Sequence, residues 1–233
     1  MVLHRFVASI ALLAAVLVGC SSDDPVTSTS NVTVTCRIDN AITSSVGGKG
    51  PTVAGDVVDS LMVTRVRVLV KRLILHPSAS NDSTDDRSVK NGPFLLVADS
   101  TGSRVVAQAQ LTPGSYDKLK FEMHRFSSSE IPSYQNDTIY RDFVTGSRYS
   151  VIIDGIVVRN GTRSAFQYES DITSNVEFSL PSFVVPQSGS TTLALVFAGA
   201  GAFLDKGQLL DPRDPKNESE IDNKIKAAFR LNP

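Results

Sequence analysis

The chain has 233 residues, with 23 basic against 24 acidic side chains and a formal net charge of -1. That balance lacks the positive field with which nucleic-acid binders attract phosphates, so nucleic acid is excluded as a partner. Tryptophan is absent, Ser, Thr, Val and Gly are plentiful, and there are only 2 cysteines. The mixture favours strands and turns over long helices and leaves no disulfide framework.

The first segment reads as an export signal. His4 and Arg5 give a short basic start, and Phe6 to Val18 is apolar apart from Ser9. A spanning helix needs about twenty apolar residues, so this run is too short to remain as an anchor. It ends in Leu17-Val18-Gly19-Cys20 and continues as Ser21-Ser22-Asp23-Asp24. This segment resembles the lipobox of bacterial lipoproteins. The resemblance implies cleavage before Cys20, a diacylglyceryl group on its thiol, and a further acyl chain such as palmitate on the new amino terminus. Two or three chains hold a protein stably at a bilayer, where one does not. Ser21 stands where inner-membrane lipoproteins usually carry Asp, which implies outer-membrane sorting. The acidic pair that follows resembles a surface-export signal. The expected organisation is therefore a signal peptide over 1–19, a lipidated cysteine and flexible tether over 20–30, and a folded body over 31–233.

Through the body, apolar residues recur with period two, as in half-buried antiparallel strands. Val32, Val34, Cys36 and Ile38 form the first set, and Val66, Val68 and Val70 the second. The second set then slips to Leu73 and Leu75, which predicts a bulge near Lys71-Arg72. Leu119, Phe121 and Met123 alternate with Lys118, Lys120, Glu122 and His124. Val176, Phe178 and Leu180 follow, then Leu193, Leu195 and Phe197. Thr112-Pro113-Gly114-Ser115 separates two strands, and Asn160-Gly161 fits a type I′ hairpin. Asn40–Asp56 and Ser78–Gly92 read as long loops. Ile221, Ile225, Ala228 and Phe229 make one apolar helical stripe, with Asn217 and Glu220 spaced as a capping box. The fold class expected is mainly β, an antiparallel β-sandwich closed by a short C-terminal helix.

The strand Val66-Arg67-Val68-Leu69-Val70, the run Leu111-Thr112-Pro113-Gly114-Ser115-Tyr116, and Leu210-Asp211-Pro212 before the helix loosely resemble the uncharacterised β-rich domains of bacterial envelope lipoproteins. That likeness spans residues 60 to 230 and implies fold and location, with no catalytic residues to carry over.

Candidate chemistry is sparse. His76 and His124 are the histidines of the exported body, both expected at the surface, and no G-x-S-x-G elbow accompanies them. Cys36 lies in an apolar phase and reads as packing. Gly47-Gly48-Lys49-Gly50 lacks the hydroxyl a phosphate loop needs. Asp211, Asp214, Asn217 and Glu220 offer oxygen ligands of the kind calcium takes, although not at EF-hand spacing. Arg65, Arg67 and Lys71, with Lys118 and Lys120, form a cationic stripe that reads first as solvated charge protecting a strand edge, and second as a surface able to hold an anionic polysaccharide. No cofactor is expected beyond the covalent lipid on Cys20. The expected partners are the membrane, through the anchor, and an envelope protein or glycan. The reading that follows is an outer-membrane or surface lipoprotein acting as a non-catalytic binding or assembly module. Its rivals are an envelope-anchored glycan hydrolase using an Asp/Glu pair and an adhesive subunit that polymerises by strand addition.

Overall fold

The computed structural model describes residues 30–41, 58–78 and 87–232. The segment expected to be a signal peptide, Cys20, most of the expected tether and the Gly47-Gly48-Lys49-Gly50 run lie outside the described residues. The protein is mainly β, with two large sheets packed face to face. The strands are β1 Val32–Asp39, β2 Val58–Pro77, β3 Arg87–Asp99, β4 Arg104–Ala109, β5 Gly114–Met123, β6 Val151–Arg159, β7 Thr162–Ser170, β8 Ser174–Val185, β9 Thr191–Ala198, a small hairpin β10 Leu204–Asp205 and β11 Gln208–Leu209, and β12 Phe229–Asn232. The helices are α1 Ile131–Tyr134, α2 Arg141–Val144 and α3 Glu218–Lys226.

The first sheet runs in the order β12-β9-β1-β4. Its ladders are antiparallel except for β1 on β9, which run parallel from Val32 opposite Thr191 to Asp39 opposite Ala198. Parallel neighbours need a long crossover, and here the whole second sheet serves as one. Asn31 closes the start of β1. Its amide donates to the Leu111 carbonyl at 2.8 Å and accepts from the Leu111 N–H at 2.8 Å, standing in for a ladder residue. Asn40 does the same beyond the other end, with the Val63 N–H and carbonyl.

The second sheet runs β7-β6-β2-β5-β8, and β3 pairs with the remaining edge of β2. The 20-residue β2 is its spine. The expected slip at Lys71-Arg72 is present: the register with β3 shifts between Val70 and Arg72, and that with β5 between Val70 and Leu73. The bulge keeps Val66, Val68, Val70, Leu73 and Leu75 all in the core between the sheets. There they meet Val34, Cys36, Leu195 and Phe197 from the first sheet. Phe121 and Phe229 join the layers edge to face, with ring centroids 5.1 Å apart. Each fully buried side chain of this size contributes about 1.5–3 kcal/mol.

One side of β2 divides at Leu69. Its N–H donates to the Ser150 carbonyl at 2.7 Å, and its carbonyl accepts from the His124 N–H at 3.0 Å. Before this point β2 pairs with β6, and after it with β5. The chain between Met123 and Val151 therefore leaves the sheet and folds over its outer face, carrying α1 and α2. A second, smaller core of Leu69, Phe126, Phe143, Val144 and Ile152 holds it down.

The Asn160-Gly161 hairpin forms as expected, with φ of 51° and 71° at its two residues. Three expectations need correction. The segment Ser78–Gly92 is not loop throughout, because β3 begins at Arg87; Leu75 pairs with Arg87 and Leu73 with Lys90. The length of β2 supplies a template that overrides the polar composition, and Val89 buries on it at 6% exposure. The helical stripe also ends early. Ile221 and Ile225 are buried on α3 as expected, but Phe229 belongs to β12, opposite Phe197 on β9. The capping box does not form, for the Asn217 side chain donates instead to the Asp211 carbonyl at 3.0 Å.

Candidate functional site

The predicted cationic stripe is divided by the geometry of β2. Lys118 and Lys120 pair in register with His76 and Ile74, beyond the bulge and away from Arg65 and Arg67. Both are matched by acids: Lys118 meets Glu177 at 3.5 Å, and Lys120 meets Glu122 at 3.5 Å. Glu122 also accepts from Arg72 at 2.9 Å, which is the main reason its carboxyl sits below the ordinary carboxylate range. Lys71 is exposed on the bulge.

Arg65 and Arg67 instead line a groove of about 470 Å³ on the outer face of the second sheet. Its floor is Leu95 and Val97 of β3, its far wall is Thr138 to Tyr140 with Asp142, and Lys90 stands at its rim. The wall is held at two points. The Tyr140 hydroxyl donates to the Pro93 carbonyl at 2.7 Å, and Arg67 Nη1 donates to the Asp142 carboxylate. Arg67 is only 8% exposed. Its second amino group lies 3.7 Å from Asp154, its guanidinium carbon lies 5.9 Å from the Phe143 ring centroid, and its Nε is buried without a hydrogen-bond partner among the described residues. Arg67 is therefore a fixed strut.

Arg65 is the opposite case. It sits in register between Asp99 on β3 and Asp154 on β6, so both carboxylates flank it on the same face of the sheet. Each is engaged elsewhere. Asp99 accepts from the Thr101 hydroxyl and from Arg104, which together hold its carboxyl down at about 2. Asp154 accepts from Gln167 at 2.8 Å and faces Arg67. Among the described residues Arg65 has no ion-pair partner, and its side chain is exposed. Lys90 likewise has no carboxylate partner among them, resting with its ammonium 4.5 Å from the Phe94 ring centroid. Lys90 was missed at the sequence level because it falls in the segment read as a loop.

The remaining candidates are tied into structural roles. Asp211 binds Arg213 through both carboxylate oxygens, at 2.9 and 2.7 Å, and this pairing is what chiefly lowers its carboxyl. Asp214 caps the Lys216 N–H at 3.0 Å, Asn217 holds the Asp211 carbonyl, and Glu220 pairs with Lys224 at 3.3 Å. The four side chains thus turn to separate partners, and no group of three or more His, Cys, Asp or Glu suited to a metal occurs among the described residues. His124 is half-buried rather than fully exposed, bonded to Glu130 at 3.2 Å. His76 is half-buried also. Cys36 is fully buried, and desolvation pushes its thiol up to about 12.

A second cleft, of about 450 Å³, gathers Tyr149, Tyr168, Glu169, Asp171, Asp214 and Glu218. Two of its tyrosine hydroxyls are pushed above the ordinary range, Tyr168 mainly through burial and then Asp222, and Tyr149 mainly through its hydrogen bond with Glu169. Compared with known families, curated proteins and solved structures, the chain matches none.

Proposed function

We propose that this chain is a bacterial envelope lipoprotein, exported and acylated on Cys20, that presents its β-sandwich at the outer membrane or cell surface as a non-catalytic binding module. The lipobox-like Leu17-Val18-Gly19-Cys20 and the Ser21 that follows support the anchor and the address. One observation carries the binding role. The outer-face groove has a rigid cationic strut in Arg67, while Arg65 and Lys90 at its margin have no carboxylate partner among the described residues. Cations left open beside a preformed groove favour a ligand over a fold requirement.

The test has two arms. Cys20→Ala should release the protein from membranes and abolish labelling by a fatty-acid analogue; a variant still labelled and membrane-bound would refute the anchor. Crosslinking on intact cells should capture a defined envelope partner with the natural sequence and lose it with Arg65→Ala/Lys90→Ala. Empty captures with both proteins would refute the binding role.

A further inference from the structure

The chemistry of the groove narrows its occupant, on the premise that the module binds at all. Its floor is aliphatic, Leu95 and Val97, and its lip carries Ile139 at 63% exposure, the most exposed large hydrophobic side chain among the described residues. An apolar side chain held this far into water, directly across from exposed cations, makes a mixed surface. Sugar rings present hydroxyl-rich edges that need paired donors and acceptors, and flat faces that favour an aromatic platform. The aromatic residues of the lining offer no open platform: Phe94 is only 4% exposed beneath Lys90, and Tyr140 has its hydroxyl committed to Pro93 and its ring packed against Phe126 and Tyr134 at 5.5 and 5.2 Å. An aliphatic floor suits a branched aliphatic side chain instead.

The position of the groove adds a second constraint. It runs along β3, whose ladder among the described residues is with β2, the other edge making only the isolated bridge of Asp99 with Gly102 among them. An edge strand beside side-chain pockets is the geometry that recognises extended peptides. The open cations favour an acidic peptide. The acids nearest Arg65 and Arg67 are already engaged, Asp142 by Arg67, Asp99 by Arg104 and Asp154 by Gln167, and neither Arg65 nor Lys90 has an ion-pair partner among the described residues.

We propose that the groove docks an extended acidic segment of a partner protein, with its carboxylates on Arg65 and Lys90 and an aliphatic side chain between Leu95, Val97 and Ile139. Arg65 supplies a planar fork matched to a carboxylate, and Lys90 a point charge. Arg67 is a positioning residue: through Asp142 it fixes the wall that carries Ile139.

The probe is a fluorescent ten-residue peptide alternating Asp with Val, titrated into the full-length lipoprotein in detergent and followed by polarisation. Saturable binding is expected, weakening steeply as salt rises. Arg65→Ala/Lys90→Ala should weaken it at least tenfold, on the order of 1.4 kcal/mol. Ile139→Ser and a peptide with Ser for Val should each weaken it by about fivefold or more, within the range for losing one buried aliphatic contact. Ile139 and Arg65 are exposed, so these variants retain the fold, which circular dichroism checks. An Asn-for-Asp peptide binding equally well would overturn the inference. So would polygalacturonate binding in the groove while the peptide does not, although the broader binding role would then stand. If the peptide fails but crosslinked capture still depends on Arg65 and Lys90, the inference falls alone. If capture is empty as well, both fall.

Discussion

Arg67 on the central strand and Asp142 on α2 are 75 residues apart in sequence and joined by a direct guanidinium–carboxylate bond. The pair pins the excursion between β5 and β6 to the sheet it covers. Its two ends differ in environment: the Arg67 side chain is 10% exposed and that of Asp142 53%. The bond is therefore asymmetric in its consequences, since only the arginine has been taken out of water.

Replacing Arg67 with Ala should destabilise the protein by about 1–3 kcal/mol, below the cost of breaking a fully buried pair because Asp142 regains water. Asp142→Ala should cost a similar amount by a different route, leaving a buried guanidinium with only the longer contact to Asp154. The double variant should lose less than the sum of the singles. Urea titration of the four proteins measures this coupling. Native-state hydrogen exchange should also show residues 124–150 opening more readily in each variant while the β5–β8 ladder keeps its protection. Strictly additive losses would refute the pairing.

The titration of Glu130 gives a pH signature. Burial pushes its carboxyl up, but the Ser127 N–H at 2.8 Å, the Ser127 hydroxyl at 2.7 Å and His124 outweigh that and hold it at about 2. Because the folded value lies below the ordinary 4.5, this carboxylate stabilises the fold above that pH. The contribution fades as pH falls from about 4.5 and is gone below about 2. Glu130→Gln should thus lower the melting temperature at pH 7 and narrow its gap to the natural protein as the solution is acidified. Differential scanning calorimetry between pH 7 and pH 3 checks it, and a constant gap across that range would exclude the mechanism.

Much of the sandwich was legible because half-buried strands must alternate, and the bulge at Lys71-Arg72 was legible because the core on either side must remain apolar. The errors share a cause. Lys90 lies in a polar stretch that β2 recruits into β3, and nothing local announces that pairing. Phe229 fits the spacing of a helix continuing from Ile221 and Ile225 as well as it fits a strand, and only β9 decides between them. The groove was half visible. Arg65 and Arg67 could be read on one strand, but the wall opposite comes from Thr138–Asp142, and the split of the sheet at Leu69 that delivers it has no counterpart in sequence periodicity. The stripe toward Lys118 and Lys120 failed for a simpler reason: residue spacing cannot reveal which cations have found carboxylates.

Asn31 provides a test of how the two ends of the first sheet are closed. Its amide answers both polar backbone groups of Leu111 and is 6% exposed. Asn31→Ala leaves a buried N–H and a buried carbonyl without partners, which should cost about 2–4 kcal/mol. Asn31→Asp keeps the acceptor for the Leu111 N–H, yet sets a carboxylate against the Leu111 carbonyl in a buried site. It should be no better than Ala at neutral pH and should recover partly in acid, where the protonated form again donates. Chemical denaturation at pH 7 and pH 4 distinguishes the two variants; equal stability of Asn31→Ala and the natural protein would show that water replaces the amide without loss.

Cys36 should report global unfolding. Its side chain is 0% exposed on β1, between the sheets, and burial raises its thiol to about 12. At pH 8 the thiolate fraction is then on the order of one in ten thousand, against roughly a quarter for an ordinary cysteine. In a Cys20→Ala background it is the chain's remaining cysteine, since the sequence has 2. Reaction with a disulfide reagent at pH 8 should be negligible in native buffer and fast in denaturing urea. At intermediate urea the rate should track the unfolded fraction measured by circular dichroism. Cys36→Ser should destabilise the fold, because a hydroxyl is less readily buried than a thiol among Val34, Leu195 and Phe197, whereas Cys36→Val, of similar size and polarity, should be tolerated. Rapid labelling under native conditions would place the thiol at an opening seam between the sheets, contrary to the packing of this strand.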